Sequence, residues 1–326
     1  MMNVRSIADG LIEAPIVTSF TRLGFEARQR LANWSSLDDY DLTDRVIVIT
    51  GATSGLGAAA AHQLAHCGAT LVVVGRSAAR NERAVADLVD ATGNSAITQV
   101  PADMGDLAQI LDLAERVLAD HDRLDVLVHN AGSLDPERSV AADGTEATVA
   151  SQVVGPFLLT NLLLDRLTES APSRVITMSS GGMYASGLHV DDLELAADRY
   201  NGTEQYARAK RAQVTLNEMW AERYGDRGIA FHALHPGWAD TPGVDAGLPT
   251  FAKVMGPFLR TPEQGADTLV WLAADDAALD SSGRFWLDRQ PRPIHKLPTT
   301  NRTDTAEHRA ELWEWVASRA GVQVSP

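Results

Sequence analysis

Cysteine and lysine are nearly missing from this chain, and each scarcity closes off a class of function. The single cysteine, Cys67, cannot form an internal disulfide, so nothing argues for an oxidising compartment and a cytoplasmic protein is expected. Only three lysines, Lys210, Lys253 and Lys296, accompany 25 arginines. None precedes Lys210, which excludes a Walker-type phosphate loop in the first half of the chain. Long apolar runs are missing as well. The N-terminal stretch MMNVRSIADGLIEAPIVTSF has no unbroken apolar centre of signal-peptide length, and no run reaches the roughly 18 residues of a membrane span. Basic residues number 28 against 43 acidic ones, giving a surface that repels nucleic acid and anionic membranes.

What is present is a regular alternation. Short β-branched runs at 45–50, 70–75, 96–100, 124–129, 174–178, 229–235 and 284–287 read as buried strands, about seven in all. Most are separated by amphipathic stretches long enough for crossover helices. Strand, helix and strand repeated in this way predict an α/β protein, a doubly wound parallel sheet with helices on both faces. No composition break divides residues 43–290, which are expected to form one domain. Residues 1–42 form an arm in which Phe20, Leu23, Ala27, Leu31 and Trp34 recur at helical spacing; its mixed charge favours packing on the domain over lying on a membrane interface. In residues 291–326, a Pro-rich segment should leave the sheet extended. A C-terminal helix then begins with Asp304 and Glu307 as its cap and docks by Leu312, Trp313, Trp315 and Val316.

The first strand runs into TGATSGLG, which places Gly51, Gly55 and Gly57, with Thr53, Ser54 and Leu56 among them, between strand and helix. Glycines here allow a tight turn and a close approach of backbone to a pyrophosphate at the helix N-terminus. The G-x3-G-x-G spacing differs from the generic dinucleotide fingerprint, and its place after the first strand makes it informative. At the end of the second strand stand Gly75 and Arg76, where an NAD-binding fold would carry an acidic residue. An arginine would pair with a 2′-phosphate, so NADPH is preferred over NADH, unless Arg76 is only a solvated surface arginine. Asp103 and Met104 end the third strand near a candidate adenine site, although Asp103 taken singly reads as a turn residue. Asn130, Ala131 and Gly132 end the fourth, where small residues let a cofactor lie against backbone.

Strand five ends in Ser179 and Ser180, and strand six in the loop holding Pro236, Gly237 and Thr241. In an open parallel sheet these carboxyl ends form the ligand crevice. Tyr206 and Lys210 are four apart and share a helix face. A free phenol with a pKa near 10 exchanges protons poorly at pH 7. A neighbouring ammonium and an oxidised nicotinamide would draw that pKa down, letting Tyr206 trade a proton with a carbonyl oxygen held by Ser180. Lys210 has further donors for the nicotinamide ribose.

TGATSGLG, HNAG, SSGG, YARAK and HPGWADT, in this order and each at a strand end, resemble the short-chain dehydrogenase/reductase family over residues 43–290. The stretches VITMSSGGM, GTEQYARAKRAQ, HPGWADTPGV and SGRFWLDRQP further resemble the dehydrogenase/reductase member twelve group. The resemblance implies a Rossmann-like fold, a small-molecule carbonyl or alcohol substrate of lipophilic character, and a homodimer or homotetramer. It also implies that Gln152 stands where the family's asparagine relays protons through water to the lysine. The substitution leaves open an alternative, a dinucleotide-binding sensor or scaffold with weak turnover. The segment between Ser180 and Tyr206 is about twice the family's usual length and is expected to cover a substrate pocket lined by Met183, Tyr184, Leu188, Trp238, Phe251 and Phe258, each of which could equally be ordinary core. His62, His66 and Cys67 lie together, but Gln63 replaces the glutamate of a zinc-protease helix, and no serine has the G-x-S-x-G setting of a hydrolase. No metal is expected.

Overall fold

The computed structural model describes residues 4–13 and 16–323. Eight strands form one sheet in the order β3-β2-β1-β4-β5-β6-β7-β8: β1 (Val46–Thr50), β2 (Thr70–Gly75), β3 (Ile97–Pro101), β4 (Val126–His129), β5 (Ser173–Met178), β6 (Ile229–Leu234), β7 (Arg284–Leu287) and β8 (Gln290–Arg292). The first seven are parallel, as the alternation predicted. The eighth corrects the expectation that the Pro-rich tail leaves the sheet. Residues 290–292 pair antiparallel with β7, with Pro291 opposite Trp286, on an edge where a missing N–H donor is tolerated. The hairpin turns through Asp288 and Arg289, both left-handed at φ 55° and 56°, positions that normally select Asn or Gly.

Strand residues alternate between two buried layers. Ile47, Ile49, Leu71 and Val73 pack with α4 (Gly55–His66), α5 (Ala78–Thr92) and, late in the chain, α12 (Pro262–Ala274). Val46, Val48, Val72 and Val74 face the other side. There they meet α6 (Leu107–Asp120), the α7 (Ala147–Val149) to α8 (Gly155–Glu169) unit, and α9 (Gly202–Tyr224). Two layers on one sheet leave its carboxyl edge open for a site. A π turn at Ala150–Val154 joins α7 to α8. Together, Ala147–Glu169 is long and apolar enough to cross a membrane, but most of it is buried between the sheet and its neighbours, as in a core helix.

Before β1 lie α1 (Val4–Glu13), α2 (Ile16–Phe20) and α3 (Arg22–Ala32). The single apolar face expected from Phe20 to Trp34 does not form. Thr21 caps α3 in extended conformation, so Phe20 lies outside that helix and the periodicity loses register. Phe25 and Arg28 are buried instead, while Leu23 and Leu31 face solvent. After β6 come α10 (Pro242–Gly247) and α11 (Pro249–Met255), and after β8 come α13 (Pro298–Arg302) and α14 (Ala306–Arg319). The cap of α14 is Thr305, whose hydroxyl accepts from His308 N at 3.2 Å. The Asp304 side chain is instead buried, bonded to Arg309 at 2.6 Å and His295 at 2.9 Å. Trp313 docks the helix on Phe157 and Trp220.

Candidate active site

Gly51 turns the chain at φ 68°, and Asn130 clamps that turn by donating its Nδ2 to the carbonyls of Thr50 and Gly51 at 3.0 and 3.1 Å. The Asn130 amide is thus committed to protein, and Ala131 and Gly132 form the face left open beside it. A Cβ on Gly57 would fall 2.4 Å from Asn130 Nδ2, so α4 can begin this close to β4 only with glycine. Gly55 sits 3.4 Å, measured from its absent Cβ, from Thr241, which brings the Pro236–Thr241 loop over the glycine turn, as expected of loops at the carboxyl ends of parallel strands. Thr53 reaches over Gly75, and Ser54, exposed, is the N-cap of α4 without using its hydroxyl. The Leu56 side chain turns away to pack against Gly265 of α12. Arg76 is exposed and has no ion-pair or hydrogen-bond partner among the described residues. Beneath it Asn81, unremarked in the sequence, is fully buried and bonds the Gly75 carbonyl at 3.0 Å.

At the end of β3, Asp103 Oδ1 accepts from Gly105 N at 2.9 Å, the turn role expected of it alone, with its second oxygen still available. The Met104 side chain is buried in the core and can offer a ligand only backbone.

The candidate catalytic groups meet where β5, α9 and the π turn converge. Ser179 is buried and donates to the Lys210 carbonyl at 3.1 Å, tying α9 to the strand end. Ser180 Oγ accepts from Gly182 N at 3.1 Å. A Cβ on Gly182 would stand 3.5 Å from Ser180 Oγ and 3.9 Å from the Tyr206 ring, so serine and tyrosine border one small space. Lys210 Nζ lies 5.2 Å from the Tyr206 ring centre and donates to Met178 O at 2.9 Å. Both groups are shifted by removal from water. The Tyr206 phenol is pushed up to about 12, with a hydrogen bond from Ser180 pulling the other way, although the residue keeps partial exposure. The Lys210 ammonium is brought down to about 7 by burial. The expected lowering of the phenol by the ammonium is therefore not what the protein groups produce by themselves: removal from water raises it, and the opposing pull comes from Ser180.

Gln152 is fully buried, its Nε2 donating to Ser133 O at 2.7 Å. Its Oε1 has no hydrogen-bond partner among the described residues and lies 2.9 Å from the point a Gly132 Cβ would occupy, with Lys210 Nζ 3.4 Å from that point. Gln213 was missed in the sequence. It donates to the Gln152 carbonyl at 2.6 Å, and its position seven residues after Tyr206, on the same helix face, was the available signal. His129, Gln152 and Gln213 line a cavity of ≈ 30 Å³. Each leaves one buried polar atom unpartnered among the described residues, so the cavity has the size and polarity to hold water.

The long segment after Ser180 departs from expectation. Met183, Tyr184 and Leu188 are core residues. Arg211, fully buried on α9, holds the segment down through the carbonyls of Met183 and Ser186 at 2.9 and 3.0 Å. A guanidinium that has left water needs these acceptors, so the segment folds into the body. Of the expected pocket residues, Trp238 and Phe251 pack edge to face at 5.1 Å and remain partly open, while Phe258 points to solvent.

The family described as short chain dehydrogenase matches residues 45–247. The chain belongs to that family. It is 39% identical over 270 residues to human dehydrogenase/reductase SDR family member 12, covering 82% of this chain and 84% of that protein. It is 32% identical to retinol dehydrogenase 12 of Bos taurus over 87% and 89% of the two chains. Among solved structures, L-sorbose reductase from Gluconobacter frateurii, complexed with NADPH and L-sorbose, superposes with a TM-score of 0.63 at 21% identity, over 76% of this chain and 96% of that one. This short-chain dehydrogenase is an NAD(P)-dependent oxidoreductase. Its residues suit a dinucleotide: the cradle at Gly51, Gly55 and Gly132 is open only because side chains are missing there.

Proposed function

We propose that this short-chain dehydrogenase interconverts a carbonyl and an alcohol on a small lipophilic substrate with NADP(H), with Tyr206 as general acid and base. The observation that carries the reading is the single space bordered by Ser180 and Tyr206, with Lys210 one helical turn behind. When bound, the cofactor supplies or accepts the hydride. The glycine turn from Gly51 to Gly57 would hold its pyrophosphate, Arg76 its 2′-phosphate, Asp103 its adenine end, Ala131 and Gly132 its ribose side, and Pro236, Gly237 and Thr241 its nicotinamide end. The exposed guanidinium of Arg76, without a partner among the described residues, supports NADPH over NADH.

Ser180 Oγ hydrogen-bonds the substrate oxygen. Tyr206 gives its phenolic proton to that oxygen during reduction and takes it back during oxidation. A phenol held near 12 is a weak acid, so the proton moves readily only while charge develops on the substrate oxygen. Lys210 would hold the nicotinamide ribose through donors beyond the one given to Met178. The open acceptor of Gln152 supports a water between the lysine and the cavity behind it. Trp238 and Phe251 give the mouth its apolar wall. The relatives' names, retinol dehydrogenase among them, agree with a lipophilic carbonyl or alcohol.

Single-turnover oxidation of NADPH with a panel of aldehydes and ketones, wild type against Tyr206→Phe, tests the proposal. A tyrosine-dependent signal with any panel member is expected. NADPH binding with no such signal would favour a sensor or scaffold.

A further inference from the structure

Phe20 belongs to the arm before β1, yet two segments of the candidate active site rest on it. Its ring is 3% exposed. A Cβ on Gly181, the residue after Ser180, would meet Phe20 Cε2 at 2.9 Å, so the ring lies directly against that backbone. The ring also packs edge to face on His235 at 4.2 Å and on Trp238 at 5.7 Å. The Phe20 carbonyl accepts from Trp238 N at 2.8 Å, and His235 Nδ1 accepts from Gly237 N at 3.0 Å. One arm residue therefore braces both the serine turn and the loop that carries the tryptophan of the substrate mouth.

The arm is fixed in that position. Arg260 donates to the carbonyls of Ser19 and Phe20 at 2.9 and 3.0 Å, and Arg28 donates to the Ser19 carbonyl at 3.0 Å. Both guanidiniums are buried and meet Asp288 of the β7–β8 turn, Arg260 at 2.5 Å and Arg28 at 2.6 Å. Gly181 and Gly182 have no side chains to resist collapse, and the Phe20 ring stands nearest behind the turn, with His235 Cε1 next at 3.5 Å from the same Cβ point.

We propose that Phe20 is a positioning residue that sets the depth of the substrate pocket behind Ser180 and the stance of Trp238, so that the N-terminal arm selects which carbonyl compounds fit. This rests on the reading of the site as a carbonyl–alcohol oxidoreductase. Without the ring, the Gly181 backbone and Trp238 can retreat into the vacated volume. Small substrates then lose contact, and bulky ones gain room.

The test uses full-length Phe20→Ala and Phe20→Leu, with cyclohexanone and 4-tert-butylcyclohexanone as probes. Phe20→Ala should raise the ratio of kcat/KM for the bulky over the small ketone at least fivefold, mainly through KM, with the NADPH Kd within twofold of wild type. Phe20→Leu should fall between the two. An unchanged ratio in Phe20→Ala that binds NADPH normally overturns the proposal. If Phe20→Ala does not fold, Phe20→Leu decides on a twofold threshold. Should wild type reduce neither ketone, the reading of the site has failed for these probes, and hydrogen exchange decides the role of the arm. Phe20→Leu is expected to speed exchange at residues 180–186 and 237–240 but not at 47–58, and equal exchange at all three overturns it.

Discussion

Tyr206 and Lys210 are displaced in opposite directions by one cause, removal from water, and that makes their behaviour measurable separately. Tyr206→Phe deletes the proposed proton donor while keeping the ring, so the rate of hydride transfer should fall by about 10²- to 10⁴-fold with NADPH affinity nearly unchanged, read by single-turnover fluorescence. Lys210 titrates at about 7 in the fold and near 10.4 in the unfolded chain. Between those values the unfolded chain binds more protons, so stability rises with pH. Urea denaturation without cofactor should show wild type gaining on Lys210→Met by up to about 1.4 kcal/mol per pH unit from pH 7.5 to 9.5; a flat difference would mean the ammonium is solvated. For Arg76→Asp, loss of the proposed charge-assisted pair with the 2′-phosphate and gain of repulsion should raise the NADPH Kd by roughly 10- to 100-fold, with NADH little affected, measured by titrating cofactor fluorescence. The spacing of tyrosine and lysine on a helix face was legible in the sequence. The size and sign of their shifts were not, because desolvation depends on the β5 end and the π turn, which come from distant parts of the chain.

The β7–β8 hairpin shows how an element can oppose its own backbone preference. Two left-handed non-glycine residues, Asp288 and Arg289, cost about 1–2 kcal/mol each. Arg289 pairs with buried Asp267 at 2.7 Å, and breaking such a pair costs about 3–5 kcal/mol. The ion pair outweighs the backbone strain, so Arg289→Gly should lower stability by about 1–4 kcal/mol in denaturant melts, although glycine suits the turn. A stabilised variant would show that the pair contributes little. Strands β1 to β7 were legible because buried parallel strands are β-branched runs bounded by turn residues. β8 was not, since Pro291 reads as a strand breaker until Asp288 and Arg289 are seen to be held by side chains from the arm and α12. The same blindness hid the packed segment after Ser180, whose anchor, Arg211, looks in sequence like any helical surface arginine.

The arm, the sheet edge and the mouth of the active site share one buried layer, with Phe20, Met183, Val214, Ala233 and Phe285 packed together. Buried ion pairs from Arg28 and Arg260 to Asp288 close it from behind. A segment joined to the body only by surface contacts would open locally at little free-energy cost. Here, lifting the arm must expose Phe20 and Phe25, part Arg28 from buried Asp288 and take the Ser19 and Phe20 carbonyls away from buried Arg260, a loss of several kcal/mol. The arm should therefore unfold with the sheet. Native-state hydrogen exchange is expected to give amides of Phe25 and Arg28 opening free energies within about 2 kcal/mol of those of Ala233 and Leu234 in β6. Asp288→Asn should lower the first pair more than the second, because it removes the charge that holds both arginines. Arm amides that already exchange several kcal/mol more easily than β6 in wild type would show that the arm opens as a unit of its own, and the dependence of the substrate mouth on it would then be intermittent.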